Sequence, residues 1–88
     1  MALVMGMLHT EDYDAWKRGF DADPAGCRQV ARGHKIFRSV EDSAQVFVGI
    51  EFASTESARQ LLPTLAASPY FGKAGSPTVA ELIDDVRY

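Results

Sequence analysis

Two strand-like segments with apolar side chains on both faces place the strongest constraint on this fold. Residues 2–9 and 45–53 alternate with a period of two, and in each segment both sets of side chains are largely apolar. A strand of this kind is normally covered on both sides. Only two amphipathic helical segments are available, and two helices cover one face of a sheet. The sequence therefore predicts a sheet whose second face needs another partner.

The first helical segment follows residues 2–9 directly. Thr10, Glu11 and Asp12 supply a capping group and acidic residues at a helix start. An aromatic stripe then predicts one buried helical face, formed by Tyr13, Trp16 and Phe20. Asp23-Pro24 and Gly26 predict the end of this helix.

The second helical segment begins after Phe52, with Ser54 or Thr55 as its predicted cap. Its apolar stripe consists of Ala58, Leu61, Leu62 and Leu65. Pro63 predicts that the helix ends or kinks near Leu62. Ser68-Pro69 then predicts a short helical turn, closed by Gly72 or Gly75.

Residues 28–38 and 77–87 predict two further strands of mixed polarity, as expected at the edges of a sheet. The predicted order is β-α-β-β-α-β, an α+β, ferredoxin-like plan with a four-stranded antiparallel sheet and the first and third strands at its centre. We expect one domain over residues 1–88. Because Phe47 and one side of the first strand would otherwise be exposed, we also expect a homodimer.

Composition excludes several classes of protein. The chain has 9 basic and 12 acidic residues and a net charge of −3, which argues against nucleic-acid partners and a basic membrane anchor. Gln45 also stands where an RNA-recognition strand would begin with a basic residue. The apolar start is too short to span a membrane and lacks the features of a signal peptide. The single cysteine, Cys27, calls for no oxidising compartment, so we expect a cytoplasmic protein.

His9 is the candidate catalytic residue. It ends the first predicted strand just before the aromatic stripe, where an imidazole could act as an acid or a base beside a pocket. Tyr13, Trp16 and Phe20 are candidate substrate-binding residues for a flat organic molecule. Both interpretations have a structural alternative, in which His9 is bonded to backbone at a strand end and the aromatic residues are core.

Two more groups of residues are candidates for ligand binding. Arg32 and His34 share one face of the second predicted strand and could meet an anionic group, although a solvated edge is the simpler explanation. Tyr70 and Phe71 follow the second helix and either close a pocket or plug the end of the sheet.

The sequence predicts neither a metal site nor a cofactor site. Two widely spaced histidines and one cysteine do not form a metal-ligand pattern. Residues 72–76 lack the full phosphate-loop motif and precede a strand instead of following one. No nucleophile elbow and no dinucleotide-binding fingerprint are present.

Taken together, several segments resemble small bacterial proteins of the dimeric α/β-barrel superfamily, which includes antibiotic-biosynthesis monooxygenases. The resemblance rests on the histidine that closes the first strand and the run after it, on Val46 to Phe52 leading into residues 55–59, and on the segment from Ser68-Pro69 to Ala74-Gly75. It implies two ferredoxin-like subunits that pair into a barrel, with ligand pockets between sheet and helices. The haem-degrading members use an Asn-Trp-His set, and this chain contains no asparagine.

The resemblance implies a cofactor-independent monooxygenase or cyclase that acts on a small aromatic or polyketide-like molecule. In that hypothesis His9 transfers the proton and Tyr13 and Trp16 orient the substrate. The alternative hypothesis is a non-catalytic barrel that binds a hydrophobic ligand or has a structural or stress-associated role.

Overall fold

Four strands and two helices follow one another in the order that the sequence predicts. The computed structural model describes residues 1–23, 26–71 and 77–88. The elements follow the order β-α-β-β-α-β, with a short 3-10 helix, Cys27–Gln29, before the second strand. They are β1 (Ala2–His9), α1 (Tyr13–Asp21), β2 (Gly33–Arg38), β3 (Gln45–Phe52), α2 (Thr55–Ala67) and β4 (Thr78–Glu81).

The sheet is antiparallel and has the strand order β2-β3-β1-β4. β1 and β3 are central and pair over eight positions, from Ala2 opposite Phe52 to His9 opposite Gln45. β2 and β4 are the edges, as their mixed composition indicates. This is the ferredoxin-like topology that the sequence predicts.

Alternation along each strand separates a covered face from an open face. The covered face carries the buried side chains of β1 and β3, which are Ala2, Val4, Leu8, Val46, Val48, Ile50 and Phe52. Trp16 and Phe20 of α1 and Ala58 and Leu65 of α2 belong to the same core cluster. The open face carries Met5, Met7, Phe37 and Phe47, which are all exposed. The exposed apolar face expected from the sequence is therefore present in the single chain.

Both helices begin at the predicted caps. The Asp12 carboxylate accepts a hydrogen bond from the Ala15 amide at 3.0 Å, and the Ser54 hydroxyl accepts one from the Ser57 amide at 3.1 Å. These side chains satisfy amide groups that have no partner within the helix.

The predicted second strand over 28–38 is too long, because its first residues form a 3-10 turn. The amides of Val30 and Ala31 both donate to the Cys27 carbonyl oxygen, at 3.0 and 2.7 Å. The Asp23 carboxylate holds the start of this turn by accepting from the amides of Cys27 and Arg28. Pairing with β3 therefore starts only at Gly33.

Of the two predicted effects of Pro63, an end of α2 near Leu62 is wrong, because the helix continues through Pro63 to Ala67. A kink there stays a prediction. Proline removes one backbone donor from the helix. Pro63 lies on the exposed side of the helix. Leu65, which is buried against the core, holds the last turn of the helix in place.

Residues 68–71 form a hydrogen-bonded turn that begins at Ser68, the predicted cap. The amide of Tyr70 donates to the Ser68 hydroxyl at 3.2 Å, and the amide of Phe71 donates to the Ser68 carbonyl oxygen at 3.3 Å. The closing glycines predicted at positions 72 and 75 lie outside the described residues.

The last strand is much shorter than the predicted 77–87. Its pairing with β1 runs from Thr78 to Glu81, and Leu82 makes one more contact, with the Met1 carbonyl oxygen. Beyond that point β1 offers no further partner. Residues 82–88 form no regular structure and are exposed, including the large apolar side chains Leu82, Ile83, Val86 and Tyr88. No helix within the described ranges is long and apolar enough to cross a membrane.

Candidate functional site

A cavity of about 240 Å³ lies between the covered face of the sheet, the α1–β2 connection and the residues that follow α2. Its apolar lining comes from every layer of the fold: Phe20 of α1, Ile50 of β3, Leu65 of α2, and Tyr70 and Phe71 of the turn after α2. Such a volume is slightly below the range of roughly 300–1,000 Å³ for small-molecule sites.

Two glycines make room for the aromatic pair Tyr70 and Phe71. A Cβ atom on Gly19 would lie 2.1 Å from the Tyr70 ring, and one on Gly6 would lie 2.9 Å from both the ring and the carbonyl oxygen of Phe71. Tyr70 therefore rests directly on α1, and Phe71 rests directly on β1. Close backbone approach of this kind is a common reason for glycine inside regular structure.

Trp16 of α1 holds the same turn in place. Its indole N–H donates to the Tyr70 carbonyl oxygen at 2.8 Å. The ring also stacks on Phe20, with the ring centres 5.1 Å apart, and packs beside Tyr13. Trp16 thus positions one wall of the cavity without lining it.

The polar side of the cavity is built by the 3-10 turn and the start of β2. The Asp23 carboxylate accepts from the amides of Cys27 and Arg28 and from the Cys27 thiol, at 3.1, 3.2 and 3.4 Å respectively. Arg28 donates to Asp21 at 2.7 Å. Arg32 and His34 follow at alternate positions, on the face of β2 that meets Ile50.

Two titratable groups in the lining have shifted pKa values. Partial burial lowers the pKa of His34 below its usual 6.5, and the positive charges of Arg28 and Lys17 act in the same direction. The imidazole is therefore neutral at pH 7 and able to accept a proton. Burial, reinforced by the Asp23 carboxylate, raises the pKa of the Cys27 thiol to about 11. Cys27 is consequently a poor nucleophile near neutral pH.

The structure brings together five of the eight candidate residues, since Phe20, Arg32, His34, Tyr70 and Phe71 line the cavity. The His34 ring meets the Phe20 ring edge-on, with the ring centres 5.1 Å apart. His9, Tyr13 and Trp16 are not among the lining residues. His9 is exposed at the end of β1, opposite Gln45 on the open face of the sheet.

Tyr13 lies in a second, more open depression at the other end of α1. Its lining includes Thr10, Glu11 and Ser43, and the Arg38 guanidinium stands 4.7 Å from the centre of the Tyr13 ring. The predicted aromatic stripe is thus divided: Phe20 faces the cavity, Trp16 supports it, and Tyr13 contacts an edge strand.

Sequence reasoning missed the contribution of Cys27, Arg28 and Ala31 to the cavity. Arg28 and Ala31 were placed in the second predicted strand, and Cys27 was assigned no role in a site. The signal that could have found them is Asp23, whose carboxylate can bond to amides a few residues ahead and so close a turn. Within 1–23, 26–71 and 77–88, no group of three or more metal-ligating side chains is present.

Comparison with solved structures supports the fold. A crystal structure of an antibiotic biosynthesis monooxygenase aligns over 99% of this chain and 100% of its own, with a TM-score of 0.56 and 15% identity. The structure of Rv0793 from Mycobacterium tuberculosis aligns over 98% of both chains, with a TM-score of 0.53 and 11% identity. No protein-family profile and no curated protein sequence matches the chain. At this level of identity the similarity shows a shared fold, which is the fold that the sequence resemblance implies.

Proposed function

We propose that this chain binds a small, electron-rich aromatic molecule in the cavity and catalyses its oxidation by O₂ without a metal or an organic cofactor. The observation that carries the proposal is the position of the His34 imidazole, which lines a cavity of about 240 Å³ and meets the Phe20 ring edge-on. One structural relative is an antibiotic biosynthesis monooxygenase, which agrees with this class of reaction.

His34 is the proposed base. It takes a proton from an acidic C–H or O–H group of the substrate, and the resulting carbanion or phenolate supplies electrons to O₂. When a CH₂ group becomes C=O, one oxygen atom enters the product and the other leaves as water, so the substrate supplies all four electrons. A cyclase would use the same proton transfer without consuming O₂.

Oxygen uptake with anthrone as the probe tests this proposal. We expect uptake above the rate in buffer, and a fall of about 10²- to 10⁴-fold in the catalysed rate for His34→Gln. His9→Gln is the matched control, because His9 lies outside the cavity lining. Loss of activity in His9→Gln alone would return the catalytic role to His9. A wild-type rate equal to that of buffer would contradict catalysis.

Blocking the cavity provides a second test. Ala31 lines the cavity, whereas Ala66 is exposed on α2 and does not line it. Ala31→Trp should abolish anthrone turnover and Ala66→Trp should leave it unchanged, with circular dichroism to verify that both variants fold. Equal activity in the two variants would place the reaction elsewhere.

A binding protein without activity is the alternative function. It is favoured by the positions of Trp16 and Tyr13, whose polar and aromatic groups already contact Tyr70 and Arg38 and are not available to orient a substrate. Anthrone that binds to the wild type, is displaced by Ala31→Trp and yet is not turned over would support this alternative.

We also propose that the active unit is a homodimer formed through the open face. Met5, Met7, Phe37 and Phe47 are exposed there, and the apolar side chains of residues 82–88 extend beyond the sheet. A second copy would remove both sets from water. Sedimentation should give about twice the mass of one 9.6 kDa chain, and Phe47→Lys should reduce it to one chain, whereas Ala66→Lys should not. The cytoplasm remains the expected compartment.

A further inference from the structure

The cavity lining is positively charged in a protein that is negatively charged overall. The chain has a net charge of −3. The charged side chains in the described part of the lining are Arg28, Arg32 and Asp23, which leaves an excess of one positive charge there. This local reversal of sign is a feature of the site and not of the whole surface.

The two arginines of the cavity lining differ in their ion pairs. Arg28 pairs with Asp21 at 2.7 Å and lies 5.6 Å from the centre of the Phe20 ring. Within the described residues, Arg32 makes no ion pair, although its backbone amide is anchored to the Glu51 carbonyl oxygen at 2.7 Å. Asp23 forms no ion pair with Arg32 in that part of the chain; its carboxylate oxygens accept from the amides of Cys27 and Arg28 and from the Cys27 thiol.

The charged and aromatic parts of the cavity adjoin each other. Arg28 and Arg32 are exposed, whereas Phe71, Ile50 and Leu65 are buried, so the cations stand on the solvent side and the apolar groups lie deeper. His34 connects the two parts, since it alternates with Arg32 on the same strand face and contacts Phe20. A ligand that fits this gradient has an apolar ring at one end and an anion at the other.

We propose that the cavity selects aromatic molecules that carry one carboxylate, with the guanidinium of Arg32 binding the carboxylate and Arg28 assisting it. The planar guanidinium offers two parallel N–H donors that match the two carboxylate oxygens. The ring then lies against Phe20 and Phe71. This inference rests on the proposed function only in taking the cavity as the binding site, and it does not require catalysis.

Calorimetric titration with 2-naphthoate and 2-naphthamide tests the proposal, because the two probes share a ring system and differ in charge. Benzoate and benzamide provide a smaller pair. We expect the wild type to bind the carboxylate at least about 10-fold more tightly than the amide. Arg32→Gln should remove most of this preference and leave the affinity for the amide unchanged. Arg28→Gln should have a smaller effect, because part of its charge is neutralised by Asp21.

Arg59→Gln is the matched control, since Arg59 is an exposed arginine of α2 outside the cavity lining. It should keep the full preference, which would exclude a general effect of net charge. Equal wild-type affinity for carboxylate and amide would overturn the charge selection and leave the cavity as an aromatic site. A preference that survives in the Arg28→Gln/Arg32→Gln double variant would overturn the assignment to these arginines. Failure of all four probes to bind would contradict the cavity itself as a binding site, and with it the proposed function.

Discussion

The two faces of the sheet are made by the same strands but have opposite surroundings. On β3, Val46 and Val48 are 0% and 1% exposed, whereas Phe47 between them is 37% exposed. The helices and the aromatic turn at Tyr70–Phe71 cover only the first face. The cavity lies on that covered face, and the open face has large apolar side chains with nothing on them in the single chain.

This difference indicates that the two faces serve different purposes. The covered face combines a buried core with a cavity that has a charged side and an aromatic side. The open face combines exposed apolar side chains with one ion pair, between Lys35 and Glu51. A broad, partly apolar surface of this kind is typical of one that associates with another protein surface. Three measurements test this difference between the two faces.

Removing one aromatic ring from each face of β3 should give the largest contrast. Phe52→Ala should lower the free energy of unfolding by about 3–5 kcal/mol, because it leaves a cavity in a fully buried site. In a monomer, Phe47→Ala should lower the free energy of unfolding by a much smaller amount. Urea denaturation at several protein concentrations measures both effects. A large, concentration-dependent loss in Phe47→Ala would show that a second copy covers the open face.

Adding one methyl group to each face should give an intermediate contrast. Gly6 faces Phe71, whereas a Cβ atom on Gly49 would have nothing within 4 Å. Gly6→Ala should destabilise the protein by about 1–3 kcal/mol through overpacking against the Phe71 backbone. Gly49→Ala should be neutral or slightly stabilising, since glycine weakens a strand. Thermal melting compares the two variants, and equal melting temperatures would refute the close packing at Gly6.

The pH dependence of stability should give the smallest effect, and it concerns the covered face. Because the pKa of His34 is lower in the folded state, the unfolded chain takes up a proton first as the pH falls. Stability from this group is therefore complete above about pH 6.5 and decreases as the pH falls from there through the folded pKa. His34→Gln should make the melting temperature less dependent on pH between pH 7 and 5. An unchanged slope in the variant would contradict the burial of this imidazole.

The acidic range separates His34 from Asp21. Hydrogen bonds from Lys17 and Arg28 hold the pKa of the Asp21 carboxyl below its usual 3.8. Its contribution is therefore lost only below about pH 4, as the carboxylate becomes protonated. A change in stability between pH 7 and 5 therefore arises from histidine and not from Asp21.

The sequence alone predicts the element order, the central strands, both helix caps and the exposed apolar face. These features depend on contacts between residues close in the chain, such as Asp12 with Ala15, or on the two-residue period of a strand. The predicted boundaries were wrong where one distant or competing contact decides them. Asp23 closes a turn in place of the first half of β2, and buried Leu65 keeps α2 helical beyond Pro63.

The composition of the site was only partly predictable for the same reason. An aromatic stripe on a helix does not reveal which ring faces a cavity, and here Phe20 does so while Trp16 and Tyr13 do not. The catalytic role of His9 stays a prediction, and the structure places a different histidine in the cavity. What sequence periodicity determined is the topology and the surplus of apolar surface. The cavity, in contrast, depends on the tertiary structure. It forms where Gly6 and Gly19 leave room for Phe71 and Tyr70, which are more than fifty residues away along the chain.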